Sequence, residues 1–137
     1  MSATLVDSSV LLDTFTNDPV WSQWSESKLE ERADQGALYI NPIIYAEASI
    51  GFNRIEEVEA AMPSSRFRRL DIPVEAAFLA GKAFLKYWTR GGARTAPLPD
   101  FFIGAHAAVA GLSLLTRDPA RVRTYFPTVS LISPKEQ

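Results

Sequence analysis

Cysteine is absent from the 137 residues and histidine occurs once, as His106. The first absence excludes disulfides and thiolate metal sites, and a lone imidazole leaves nothing from which to assemble a histidine-based zinc centre. Any bound metal must therefore be held by oxygen. Long apolar runs are also missing, for none approaches the ~20 residues needed to span a bilayer. The opening Met-Ser-Ala-Thr has no basic stretch leading into an apolar one, so a cytoplasmic protein that does not enter the membrane is expected. Internal repeats, linkers and low-complexity segments are lacking too. A hydrophobic content of 47% supplies enough apolar material for one core. The expectation is a single domain over residues 1–133 with a short tail, 134–137.

Basic residues are scarce in the first half. Residues 1–63 carry 3 bases against 11 acids and residues 64–137 carry 11 bases against 5 acids, so a formal net charge of -2 conceals -8 followed by +6. Such asymmetry is either ordinary solvated surface or a phosphate-binding face hidden within a mildly acidic total. Lys82, Lys86 and Arg90 recur every four residues and make one basic stripe.

What is present is organised around Thr4-Leu5-Val6-Asp7-Ser8-Ser9. A short apolar run that stops at a carboxylate and two hydroxyls reads as a buried strand. Val10, Leu11 and Leu12 resume at helical spacing, with Ser8 or Ser9 able to cap that helix. Asp7 thus falls at a strand's carboxyl end, where open α/β sheets bind ligands, although a turn or helix-start acid has the same placement. Further strands are expected at 37–40, 113–116 and 129–132, with an edge strand or extended connection at 66–72. Asp18-Pro19 and Asn41-Pro42 both read as an N-cap followed by proline. The first opens a helix over 20–34 with Trp21, Trp24 and Leu29 on its apolar side, and the second opens a helix carrying Glu47. A short acidic helix is expected over 54–62, and a long one from Pro73 to Arg90 with Phe78, Gly81, Leu85 and Trp88 inside. Residues 91–98 read as a mobile loop beside a site, and 99–111 as a helix buried nearly all round.

Glu47 has Ile43, Ile44, Ile50 and Gly51 three and four positions away, so its carboxylate stands within an apolar stripe and faces inward. There it needs a cation, hydrogen-bond donors or a proton, supplied by a structural arginine or by a functional site. Asp100 lies in the first turn of its helix, where negative charge favours the dipole. Asp118 before Pro119 has the placement of an N-cap, as Asp18 does before Pro19. His106 shares a face with Phe102, Ile103, Val109 and Ala110 and not with Asp100, which reads as a packed core histidine. Asp7, Glu47, Asp100 and Asp118 have one property in common: each lies at or just past the start of an element that follows a buried strand or loop. Alternating strands and helices imply a parallel sheet with right-handed crossovers, which brings such junctions to one edge. Convergent carboxylates raise one another's pKa and call for protons or hard cations, and oxygen ligands favour Mg²⁺ or Mn²⁺.

Four stretches, Leu5-Val6-Asp7-Ser8-Ser9-Val10-Leu11-Leu12, Asn41-Pro42-Ile43-Ile44-Tyr45-Ala46-Glu47, Pro99-Asp100-Phe101-Phe102-Ile103-Gly104-Ala105-His106-Ala107 and Leu115-Thr116-Arg117-Asp118-Pro119, give the chain its resemblance to a known family. In the order of these motifs and in overall size it resembles the PIN-domain ribonucleases, and among them most closely the VapC-type toxins of bacterial toxin–antitoxin systems. The resemblance implies a three-layer α/β/α sandwich around a parallel sheet of four to five strands, with an acidic pocket for one or two Mg²⁺ or Mn²⁺ ions. Asp7, Glu47 and Asp100 match the family's three core acids, and Asp118 its more variable fourth position. Ser9 and Thr116 match hydroxyl positions that orient the acids or a metal-bound water. The resemblance further implies cleavage of structured RNA such as tRNA, a cognate VapB-type antitoxin and a homodimer. Arg90, Arg94 and Arg117 are then the candidates for RNA phosphate contacts. A catalytically inactive PIN-fold RNA-binding or protein-interaction module is the alternative, disfavoured because all four acids are present. A receiver domain would need an aspartate ending its middle strand and a lysine after a late one. A haloacid-dehalogenase-type phosphatase would need an acid where Ser9 stands.

Overall fold

The computed structural model describes residues 2–92 and 98–134. Arg94, most of the expected loop at 91–98 and the end of the tail lie outside the described residues. Five short strands, β1 (Thr4–Val6), β2 (Leu38–Ile40), β3 (Phe67–Arg69), β4 (Ser113–Leu115) and β5 (Leu131–Ile132), form one sheet in the order β3-β2-β1-β4-β5. Every pair is parallel, and parallel neighbours need long crossovers. Helices α1 (Ser8–Phe15), α2 (Ser22–Gln35), α3 (Pro42–Ser49), α4 (Ile55–Ala61), α5 (Val74–Thr89), α6 (Leu98–Ala110) and α7 (Ala120–Tyr125) supply them. The fold is thus α/β, a five-stranded parallel sheet flanked by helices. Among the described residues no helix is long and apolar enough to cross a membrane.

All three residues of β1 are buried, as an inner parallel strand covered on both faces requires. From β1 the chain moves outward to β2 and β3, then returns to lay β4 along the opposite side of β1. The strand order therefore reverses between β1 and β4, and the crevice at their carboxyl ends is a topological switch point. Register completes the arrangement. Val6 lies opposite Leu115, and the Asp7 N–H donates to the Leu115 carbonyl at 2.9 Å. Asp7 and Thr116 consequently leave the sheet side by side.

The helix starts follow the sequence signals in part. Asn41 does cap α3, its Oδ1 accepting from the Ile44 N–H at 2.9 Å, with Pro42 in the first turn. Its Nδ2 lies 3.0 Å from Nδ1 of His106. Because the amide oxygen is already engaged, Nδ2 donates, and His106 accepts at Nδ1. Burial holds the His106 pKa below the ordinary imidazole value. This buried pair fastens α3 to α6, and His106 is the core histidine expected. The cap of α1, in contrast, is Asp7 itself and not Ser8 or Ser9, which lie within the first turn and direct their hydroxyls elsewhere. Asp18 accepts from the N–H groups of Val20 and Trp21 at 2.8 and 2.9 Å, closing a turn ahead of α2, which begins only at Ser22.

The inner face of α5 also differs from expectation. Phe78 is 67% exposed and Leu85 49%, and Gly81 is exposed as well. The buried residues are Ala76, Ala80, Ala83 and Phe84. α5 packs along α6, a helix buried through Gly104, Ala105 and Ala107. The contact runs through Phe84 and Tyr87 against Phe101, with ring centres 5.4 and 5.6 Å apart, and the face of α5 that carries Ala76, Ala80 and Ala83 is buried with them. At Gly104 a Cβ would stand 2.6 Å from the Phe126 ring and 3.3 Å from Val122. The end of α7 therefore rests directly on α6.

Candidate active site

Asp7, Glu47, Asp100 and Asp118 all line one pocket of about 280 Å³ at the carboxyl ends of β1 and β4. Asp7 reaches it from the end of β1, Glu47 from α3, Asp100 from the first turn of α6, and Asp118 from the turn after β4. Sequence reasoning thus brought together four acids that the structure does bring together. The apolar stripe expected around Glu47 is only partly buried. Ile44 is buried, but Ile50, the C-cap of α3, is 84% exposed although its backbone is still helical, so the apolar stripe does not continue past the helix end. Asp118 is not the cap of α7 either. Pro119 occupies that position without a side-chain cap bond, and Asp118 is an exposed residue of the pocket rim.

Hydroxyls set the orientation of the acids. Ser9 and Thr116 both donate to Oδ2 of Asp7, at 2.9 and 2.7 Å, and Ser8 donates to Oε1 of Glu47 at 2.8 Å. Thr116 Oγ1 in turn accepts from the Asp118 N–H at 3.0 Å, and Ser9 Oγ from the Arg117 N–H at 3.2 Å. The hydroxyl protons are thereby committed to the carboxylates. Burial lifts the Asp7 carboxyl above its ordinary pKa despite the Thr116 and Ser9 hydrogen bonds, and the charge of Asp100 adds to the rise. Burial likewise raises Glu47, with Ser8 opposing and the charges of Asp7 and Asp100 contributing. The site therefore holds more negative charge than its own donors offset, and all its ligating atoms are oxygens. That donor set fits a hard divalent cation. As the side chains lie, no three acidic or histidine groups among the described residues are gathered closely enough to hold an ion.

Two arginines enter the pocket wall. Arg117, an expected phosphate contact, lines it but is anchored: its Nε donates to Oδ2 of Asp13 at 2.9 Å, and its guanidinium lies 5.5 Å from the Trp21 ring centre. Asp13 is buried and also accepts from Ser25 Oγ at 2.8 Å. Arg121, which the sequence did not single out, pairs through Nη1 with Oδ2 of Asp100 at 2.5 Å. Arg90 lies away from the pocket lining, over the Tyr125 ring at the end of α5. Asp13 was within reach of sequence reasoning, since it stands among Val10, Leu11, Leu12 and Phe15 much as Glu47 stands among isoleucines. Arg121 had no such signal, because only the packing of α7 on α6 carries it to Asp100.

A family model for the PIN domain matches residues 4–127. The chain belongs to the PIN-domain family, whose members are in general nucleases. Among curated proteins no sequence matches it significantly. Its structure is similar to a chain of VapBC2 from Rickettsia felis solved bound to a DNA fragment from the VapBC2 promoter, with a TM-score of 0.73 and 18% identity over 96% of this chain and 98% of that one. A toxin–antitoxin complex from Klebsiella pneumoniae gives a TM-score of 0.69 and 22% identity over 98% and 99%. VapBC-1 from nontypeable Haemophilus influenzae gives 0.71 and 18% over 96% and 97%.

Proposed function

We propose that the protein is a VapC-type toxin, a divalent-metal-dependent endoribonuclease that cuts structured RNA such as tRNA in the cytoplasm and is inhibited by a VapB-type antitoxin. The observation that carries this reading is the convergence of Asp7, Glu47, Asp100 and Asp118 on one pocket, with Asp7 and Glu47 pushed towards protonation by burial first and by the charge of Asp100 in addition. Asp7, Glu47 and Asp100 would hold one or two Mg²⁺ or Mn²⁺ ions, with Asp118 as a fourth oxygen donor at the rim. The chemistry such an ion would supply, once held by these carboxylates, is a more acidic water and positive charge beside the scissile phosphate. The protein's own groups do the rest. Ser9 and Thr116 hold Asp7 in one orientation, Ser8 does the same for Glu47, and Arg117 brings positive charge to the mouth for a phosphate. His106 is buried in the α3–α6 contact and takes no part as a base.

Two surfaces support the partners. Ile50 and Ile55 are exposed beside the acidic Glu56 and Glu57 of α4, a surface suited to an apolar and basic antitoxin segment. On α5, Val74, Phe78 and Leu85 form an exposed stripe whose matching surface is the same helix of a second copy.

The test is RNA cleavage by purified, antitoxin-free protein in Mg²⁺, Mn²⁺ or EDTA. Cutting of a tRNA pool is expected with either metal and not with EDTA, and Asp7→Asn or Asp100→Asn should lower it by roughly 10²-fold or more. Absence of cutting, together with absence of metal binding by calorimetry, would leave a PIN-fold binding module.

A further inference from the structure

We infer that Arg121 is an exchangeable counter-cation: it neutralises Asp100 in the metal-free site, yields that carboxylate to an arriving divalent ion, and transfers its own charge to a phosphate of the RNA. This rests on the metal-dependent reading above and adds to it a residue and its role.

The two pocket arginines are held in opposite ways. The acid that anchors Arg117, Asp13, has a side chain only 3% exposed and also accepts from Ser25, so that pair is shut away from water on its acid side. The pair between Arg121 and Asp100 is open to water on both sides, at 35% and 44%. Solvent screens such a pair, and little is lost when it opens. Asp100 meanwhile gives Oδ2 to Arg121, and the acids of the pocket are not drawn together into an ion-holding group. One side chain thus occupies the carboxylate that would complete the site.

Release need not unmoor the arginine. Its guanidinium lies 5.5 Å from the centre of the Tyr87 ring on α5, an aromatic seat just outside the pocket lining. The backbone of α7 is fixed by the contact of Phe126 and Val122 with Gly104, so any exchange is confined to side-chain rotation. Electrostatics favours the sequence of events. An acidic pocket repels phosphate, whereas a pocket whose carboxylates have taken a divalent ion leaves a guanidinium in need of an anion, and a phosphate accepts two of its N–H groups at once.

The experiment is Mn²⁺ calorimetry on the purified full chain without RNA, with cleavage at saturating Mn²⁺ measured separately. Arg121→Ala removes the competitor and should bind Mn²⁺ roughly two- to fivefold more tightly, the range a part-exposed ion pair supports. Arg121→Gln, which keeps most of the stem for packing, should do the same, and Arg121→Lys should stay near the wild type. Arg117→Ala should shift the affinity less, because Arg117 pairs with Asp13 and occupies none of the four pocket carboxylates. Despite tighter Mn²⁺ binding, Arg121→Ala should cleave about tenfold or more slowly at saturating metal. Unchanged or weaker Mn²⁺ binding in both Arg121→Ala and Arg121→Gln overturns the exchange while leaving the nuclease reading intact, and so does unchanged cleavage at saturating Mn²⁺. A wild type that binds no Mn²⁺ overturns the metal-dependent reading and the exchange together.

Discussion

Asp7 shows at the scale of one residue how activity and stability oppose each other. Its carboxylate is desolvated at the end of β1 and faces Asp100, so the folded state holds its pKa above the ordinary value of 3.8. A carboxyl raised on folding stabilises the fold below its unfolded pKa and loses that contribution as pH rises through the folded value. At neutral pH in EDTA, Asp7→Asn should therefore be more stable than the wild type by on the order of 1 kcal/mol, or roughly 3–5 °C in Tm. Thermal melts between pH 7 and pH 4.5 should show that advantage shrinking as pH falls. A destabilised Asp7→Asn at pH 7 would mean that the Ser9 and Thr116 hydrogen bonds need the carboxylate more than burial penalises it. Residue identity and placement were readable for the acids because each stands at a strand-to-helix junction or among apolar neighbours. They were unreadable for Arg121, four residues past Arg117 in a run with no apolar pattern around it.

At the scale of elements, the buried Asn41 decides how two helices meet. One amide caps α3, which carries Glu47, and also reaches His106 on α6, which carries Asp100. Asn41→Ala removes a cap and leaves the His106 Nδ1 acceptor without its amide donor, so a loss of roughly 2–3 kcal/mol is expected from the two effects together. Urea unfolding monitored by far-ultraviolet circular dichroism measures it. A loss well under 1 kcal/mol, a small fraction of the usual cost of orphaning a buried acceptor, would show that water or another donor replaces the amide. The Asn-Pro signal made the start of α3 legible in advance. The orientation of α5 was not, because Phe78 and Leu85 are as apolar as any core residue. Only the tertiary contact with α6, where Phe84 and Tyr87 meet Phe101, selects the buried face.

For the molecule as a whole, that unexpected face has a consequence. A helix that turns Val74, Phe78 and Leu85 to solvent leaves an apolar stripe flanked by Lys82 and Lys86, with Lys82 lying over the Phe78 ring. If the stripe joins two copies, Phe78→Asp places a charge at its centre and should convert a dimer into a monomer in sedimentation velocity at micromolar concentration. A wild type that sediments as a monomer, or a Phe78→Asp variant that remains dimeric, would show that α5 is not the joining surface.

The sequence by itself determined the alternation of buried strands and helices, and with it the parallel sheet, because apolar runs of strand length can be covered on both faces only by crossover helices. It also placed Asp7 and Asp118 at one edge, since a parallel sheet sends the ends of β1 and β4 the same way, while the arrival of Glu47 and Asp100 there needed the packing of α3 and α6. The tertiary structure alone decided which face of α5 is buried, that Asp13 holds Arg117, and that Arg121 reaches Asp100. Those outcomes depend on distances between separate segments of the chain, set by the approach of α7 to α6 at Gly104 and of α5 to α6 where Phe84 and Tyr87 meet Phe101. No local pattern of residues encodes such distances.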